Sequence, residues 1–209
     1  MQVWTPTSNG IYGPVEVLAL EKDACAGTIV LFMGGLKIRY SVDKVNSKGF
    51  SHFNDDELRA VDFFVDEGFR VLVLRYGQIF RWGDRWVDNV CAWVRRIFGK
   101  PKTFLVGHSA GAILALSQLN AQKPSITNIA LLSTPHLPPI KRKKFMKYNV
   151  FLIHGVLDKP AHETHCKIFQ LLEPNPNVEP LHVILNVGHD VWSSTVTLDA
   201  LKQWMDEAS

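Results

Sequence analysis

Short apolar runs, each the length of one strand, alternate along this chain with amphipathic stretches long enough for a helix. Residues 15–20, 28–33, 70–74, 102–106, 128–132, 149–153 and 181–186 read as strands. The run 28–33 (TIVLFM) has no polar alternation and stops at Gly34-Gly35, as a strand buried on both faces would. Helices are expected between most of these runs. One begins at Asn54, with Glu57 three residues on and acidic residues in its first turn, and places Leu58, Val61 and Val65 on one face until Gly68 stops it. Another spans 84–98, with Trp86, Val90, Val94 and Ile97 at helical spacing before Gly99. Others cover 110–122, the region near 162–172, and 194–207. Strands and helices in this order call for a mostly parallel sheet with helices on both faces. No repeat, low-complexity tract or linker interrupts the pattern, so residues 1–209 are expected to form a single domain.

The segment that carries chemistry is Gly107-His108-Ser109-Ala110-Gly111, set between a strand and a helix. A strand that turns at once into a helix strains the backbone of its central residue and pushes that side chain out above the sheet. Gly107 and Gly111 let the two elements approach, and the helix start offers N–H groups to a developing oxyanion. Ser109 is therefore the candidate nucleophile. A serine hydroxyl needs a base, and the base needs an orienting acid. Asp158 follows the strand 149–153 in the run His154-Gly155-Val156-Leu157-Asp158, and His189 follows the last strand in Val187-Gly188-His189-Asp190. Asp190 is set aside as the acid, because a side chain adjacent to His189 cannot easily reach its Nδ1. The backbone N–H of Ala110 is expected to help hold the oxyanion, with one from the loop Gly34-Gly35-Leu36, where Gly35 and Leu36 are preferred. His108, inside the turn, is given a packing or supporting role.

These segments resemble the α/β-hydrolase superfamily, over nearly the whole length from about residue 15 to residue 207. The turn at Ser109 is similar to that of many esterases and lipases, and residues 153–158 resemble the acid loop of small members related to dienelactone hydrolases. The resemblance implies a serine esterase with Ser109, Asp158 and His189 as its triad. One departure is Met33, where many esterases carry the histidine of a His-Gly-Gly loop. Family members often insert a lid between the sixth and seventh strands. Here that connection is only residues 133–148, with Pro135, Pro138, Pro139 and the basic run Lys141-Arg142-Lys143-Lys144, so minimal or no lid and an open site are expected. The aromatic residues Tyr76, Phe80, Trp82 and Trp86 and the loop 37–53 are candidate pocket walls.

Composition narrows the remaining classes. A net charge of +3 is too small to suggest a nucleic-acid partner. Cys25, Cys91 and Cys166 form neither a disulfide framework nor a zinc pattern, and His162-Glu163-Thr164-His165 spaces its histidines three apart where a zinc helix needs four. That helix is expected to face solvent. No cofactor or metal is expected. The partner is a small acyl substrate. No secretory leader or membrane span is evident, which makes a cytoplasmic protein the expectation. Thioesters, lactones and amides would use the same side chains, and a non-catalytic binding module on the same fold is the alternative from another class.

Overall fold

The computed structural model describes residues 2–4, 16–20, 28–33, 55–75, 85–117, 126–137, 148–172 and 181–208. Among the described residues eight strands form one sheet: β1 (Gln2–Trp4), β2 (Glu16–Leu20), β3 (Thr28–Met33), β4 (Arg70–Arg75), β5 (Lys102–His108), β6 (Asn128–Leu132), β7 (Asn149–Gly155) and β8 (Leu181–Leu185). Their order is β1-β2-β4-β3-β5-β6-β7-β8. Strands β1 and β2, and β2 and β4, pair antiparallel, and every pair from β4 through β3 to β8 is parallel. The helices are α1 (Asp55–Asp66), α2 (Arg85–Phe98), α3 (Ala110–Ser117), α4 (Lys159–Leu172) and α5 (Thr195–Glu207).

The long apolar runs become strands because both faces of the sheet are covered. On one face Val71, Val73, Phe104, Val106, Ala130, Leu132, Phe151 and Ile153 meet Ala60, Val61 and Phe64 of α1 and Leu198, Leu201, Trp204 and Met205 of α5. The alternate residues Leu72, Leu105, Leu131 and Leu152, which point to the other side, are just as fully buried. Helix α3 packs on β5 and β6, and α4 on β7. Burying one aromatic or large aliphatic side chain stabilises by about 1.5–3 kcal/mol, so this two-sided core carries most of the driving force. Lys202 of α5 donates to Glu67 at 3.0 Å and to Asp206 at 3.2 Å, and these hydrogen bonds raise its pKa. The first of them ties α5 to the turn that ends α1.

Several expectations shift. Strand β1 was not anticipated. The strands read at 102–106 and 149–153 each run two residues further, to His108 and Gly155. Helix α4 begins at Lys159, directly after Asp158. On α1 the buried residues are Glu57, Ala60, Val61 and Phe64, while Leu58 and Val65 are only partly covered, so the inward face is turned from the one expected. On α2, Trp93 and Val94 are buried, but Ile97 is exposed. Gly68 and Gly99 end their helices at φ +84° and +79°, where a Cβ would be strained. Among the described residues, no helix is long and apolar enough to cross a membrane.

Candidate active site

The parallel register aligns the C-terminal ends of β5 to β8. His108 pairs with Leu132, Leu132 with Ile153, and Gly155 with Leu185. The loops leaving those ends are tied to one another in the same sequence. Ser109 N–H donates to Leu132 O at 2.8 Å, Ser133 N–H to Ile153 O at 3.0 Å, and Val156 N–H to Leu185 O at 2.8 Å. Segments remote in sequence therefore meet at one rim, the edge where parallel sheets place ligands.

Ser109 sits between β5 and α3 at φ 54°, a left-handed conformation that costs a non-glycine residue about 1–2 kcal/mol. Three contacts hold it there: its bond to Leu132 O, and the Ala112 and Ile113 N–H groups that donate to its carbonyl at 3.1 and 3.3 Å. The turn is tight enough that a Cβ on Gly107 would lie 2.6 Å from Gly111 O and 2.8 Å from the Ala112 backbone. Glycine at 107 is thus a packing requirement.

Asp158 has two tasks. Its Oδ1 accepts from Ala161 N–H at 3.4 Å and its carbonyl from His162 N–H at 2.9 Å, which starts α4. Its Oδ2 lies 2.5 Å from His189 Nδ1. The carboxylate is almost wholly buried, with 7% of the side chain exposed, against 48% for His189. A buried carboxylate accepts hydrogen bonds, so Nδ1 carries a hydrogen and Nε2 is left with its lone pair. Ser109 Oγ lies 2.8 Å from that Nε2, placed to donate to it. Ser109, His189 and Asp158 form one continuous hydrogen-bonded chain.

The His189 loop is anchored below. Asp190 Oδ1 accepts from Trp192 N–H at 3.3 Å and opens a single 3₁₀ turn, Val191–Ser193. Trp192 is fully buried, and its carbonyl accepts from Arg59 Nη2 at 2.9 Å. A Cβ on Gly155 would lie 2.1 Å from Val187 O and 2.2 Å from Gly188 O, so the acid loop and the histidine loop touch backbone to backbone at that point.

Sequence reasoning missed the surroundings of His108. Its Nδ1 is 3.3 Å from Glu57 Oε1, and its Nε2 is 3.3 Å from the His189 carbonyl. Glu57, read above as part of a helix start, is buried. The available signal was its place at positions 57, 60, 61 and 64 of α1, one helical stripe with three apolar residues.

A second correction concerns α4. His165 does not face solvent: it is fully buried, and its Nε2 accepts from Thr134 N–H at 3.2 Å and lies 2.8 Å from Thr134 Oγ1. His162 Nδ1 is 2.7 Å from Nε2 of buried His154, and Cys166 is a half-buried free thiol. Among the described residues, no three or more His, Cys, Asp or Glu side chains gather where they could hold a metal ion. Gly34, Gly35, Leu36, the loop 37–53, Tyr76, Phe80, Trp82, the basic run 141–144, Cys25 and the side chains of Trp86 and Cys91 lie outside what is described. Ala110 opens α3 directly after Ser109 and is buried.

No protein-family model matches the chain, and no curated protein matches it. Solved structures do. A serine hydrolase without a lid from Xanthomonas campestris aligns with a TM-score of 0.67 at 17% identity, covering 99% of this chain and 94% of its own. A fungal esterase from Rhizomucor miehei aligns with a TM-score of 0.75 at 12% identity, over 98% and 82%. An esterase from Pyrococcus furiosus gives 0.68 at 16%, over 99% and 90%. Identity at this level carries the fold and nothing finer.

Proposed function

The chain has the α/β-hydrolase fold, and on that premise we propose that it is a serine hydrolase acting on a carboxylic ester or a related acyl compound. The observation that carries this reading is the unbroken chain from Ser109 Oγ through the His189 ring to the buried Asp158 carboxylate, with contacts of 2.8 and 2.5 Å.

In this mechanism Ser109 Oγ attacks the acyl carbon while His189 Nε2 takes its proton. The tetrahedral oxyanion is held by the Ala110 N–H and by one from Gly35 or Leu36. Asp158 stabilises the imidazolium and keeps Nδ1 protonated. The tetrahedral species collapses, His189 returns the proton to the leaving oxygen, and the acyl group stays on Ser109. Water then attacks the acyl-enzyme with His189 taking its proton, and the second tetrahedral species collapses. The bond from Ser109 Oγ to the acyl carbon breaks, His189 returns the proton to Oγ, and the acid leaves. No cofactor enters any step. The half-exposed imidazole and the short connection after β6 suit an acyl group approaching an open rim. Thioesters, lactones and amides would pass through the same tetrahedral species.

A fluorophosphonate probe tests the reading directly. It should add one phosphonyl group to the Ser109 peptide of the native protein, and His189→Ala should lose that labelling. Labelling elsewhere, or none, would leave a hydrolase fold without this chemistry.

A further inference from the structure

We propose that His108 and Glu57 are positioning residues that hold His189 in register with Ser109, an inference that rests on the hydrolase reading above. Both side chains are buried, each about 5% exposed. They link α1 to the histidine loop across the end of β5: Glu57 Oε1 to His108 Nδ1 at 3.3 Å, and His108 Nε2 to the His189 carbonyl at 3.3 Å.

Proton counting explains why both residues are needed. A backbone carbonyl only accepts, so His108 Nε2 must carry a hydrogen. If Nδ1 were bare and Glu57 ionised, two acceptors would face each other in a low-dielectric interior, which is costly. One proton therefore lies between Oε1 and Nδ1, on either atom. In both states Nε2–H stays directed at the His189 carbonyl. Glu57 thus fixes which nitrogen of His108 donates to the His189 carbonyl.

Two aromatic rings flank His108. The Trp192 ring meets it edge-on at 6.0 Å between centroids, and the His189 ring lies at 5.5 Å. Helix α1 also reaches the loop directly, through Arg59 Nη2 to Trp192 O at 2.9 Å. The loop is therefore held from below at residues 189 and 192. His189 needs this support because nearly half of its side chain is in solvent and packing alone does not orient it. Small errors in its direction are expensive, since proton transfer depends on the line between Nε2 and Oγ.

The test uses His108→Phe, which keeps a ring and removes both nitrogens, and Glu57→Gln, whose amide can still donate to Nδ1. His108→Phe should lower kcat for a p-nitrophenyl ester about tenfold with KM nearly unchanged, while Glu57→Gln retains most of kcat. Because His108→Phe leaves the Glu57 carboxylate without the His108 proton, the double variant Glu57→Leu/His108→Phe removes that buried charge as well and is read beside a thermal melt, with the same expected loss of kcat. Amide hydrogen exchange at Val191 and Ser194 gives a readout independent of hydrolysis, and should speed up about tenfold in both His108 variants. Unchanged kcat and unchanged exchange in the double variant would overturn the proposal, and so would a change confined to KM. If hydrolysis proves independent of Ser109, the hydrolase reading fails by itself. Exchange then decides this inference: faster exchange upholds the brace, and unchanged exchange removes it.

Discussion

Ser109→Ala should reduce kcat for a short p-nitrophenyl ester by about 10⁵-fold while leaving the melting temperature within a few degrees of the parent. In the proposed mechanism the loss is large because the substitution removes the atom that would form the acyl-enzyme, and the pairing of Asp158 with His189 cannot replace it. What remains is binding and whatever the backbone donors give to direct attack by water. Stability should be nearly untouched because alanine and serine pay the same penalty at φ 54° and the same backbone bonds to Leu132, Ala112 and Ile113 persist. Steady-state hydrolysis beside a thermal melt separates the two effects. An equal loss of activity and fold would mean that Ser109 is a structural turn residue.

Gly155→Ala should destabilise the protein by about 3 kcal/mol and lower activity about 100-fold. The single added carbon would sit 2.1 Å from Val187 O and 2.2 Å from Gly188 O, and neither backbone atom can rotate away as a side-chain tip could. Relief requires parting β7 from the loop that follows β8. That strains the bonds from Val156 N–H to Leu185 O and from Leu157 N–H to Val187 O. The loop that moves carries His189, so the same displacement reaches the hydrogen-bonded line from Ser109 to Asp158. Gly188→Ala is the stability control: nothing lies within 4 Å of its added carbon, and its urea midpoint should correspond to a change under about 0.5 kcal/mol. Equal midpoints for the two variants would refute the backbone-contact explanation.

The central strands were legible because β5, β6 and β7 are buried along most of their length on both faces, which leaves apolar runs such as IALL and VFLI. The candidate site followed from a related reading. Ser109, Asp158 and His189 each lie a few residues past a strand end and a few residues or less from a glycine, and a parallel sheet aligns such ends without any further information. Strand β1 escaped notice because three residues, QVW, are too few for a pattern, and its antiparallel pairing with β2 is decided by the partner. The contact of Glu57 with His108 was missed and His165 was misread for a common physical cause. Both are polar residues on helices whose usual place is the surface, and each is buried only because a partner far along the chain, His108 or Thr134, answers its hydrogen bond. Periodicity reports which face a helix buries, but not which polar atom waits on the other side.

The most direct test of the mechanism is a double-mutant cycle on ester hydrolysis using Ser109→Ala, His189→Ala and the two combined. If hydroxyl and imidazole work as one unit, the combined variant keeps the rate of Ser109→Ala within about threefold. Losses that multiply across the two sites would contradict it, since they would mean that Ser109 and His189 act independently despite the 2.8 Å between them.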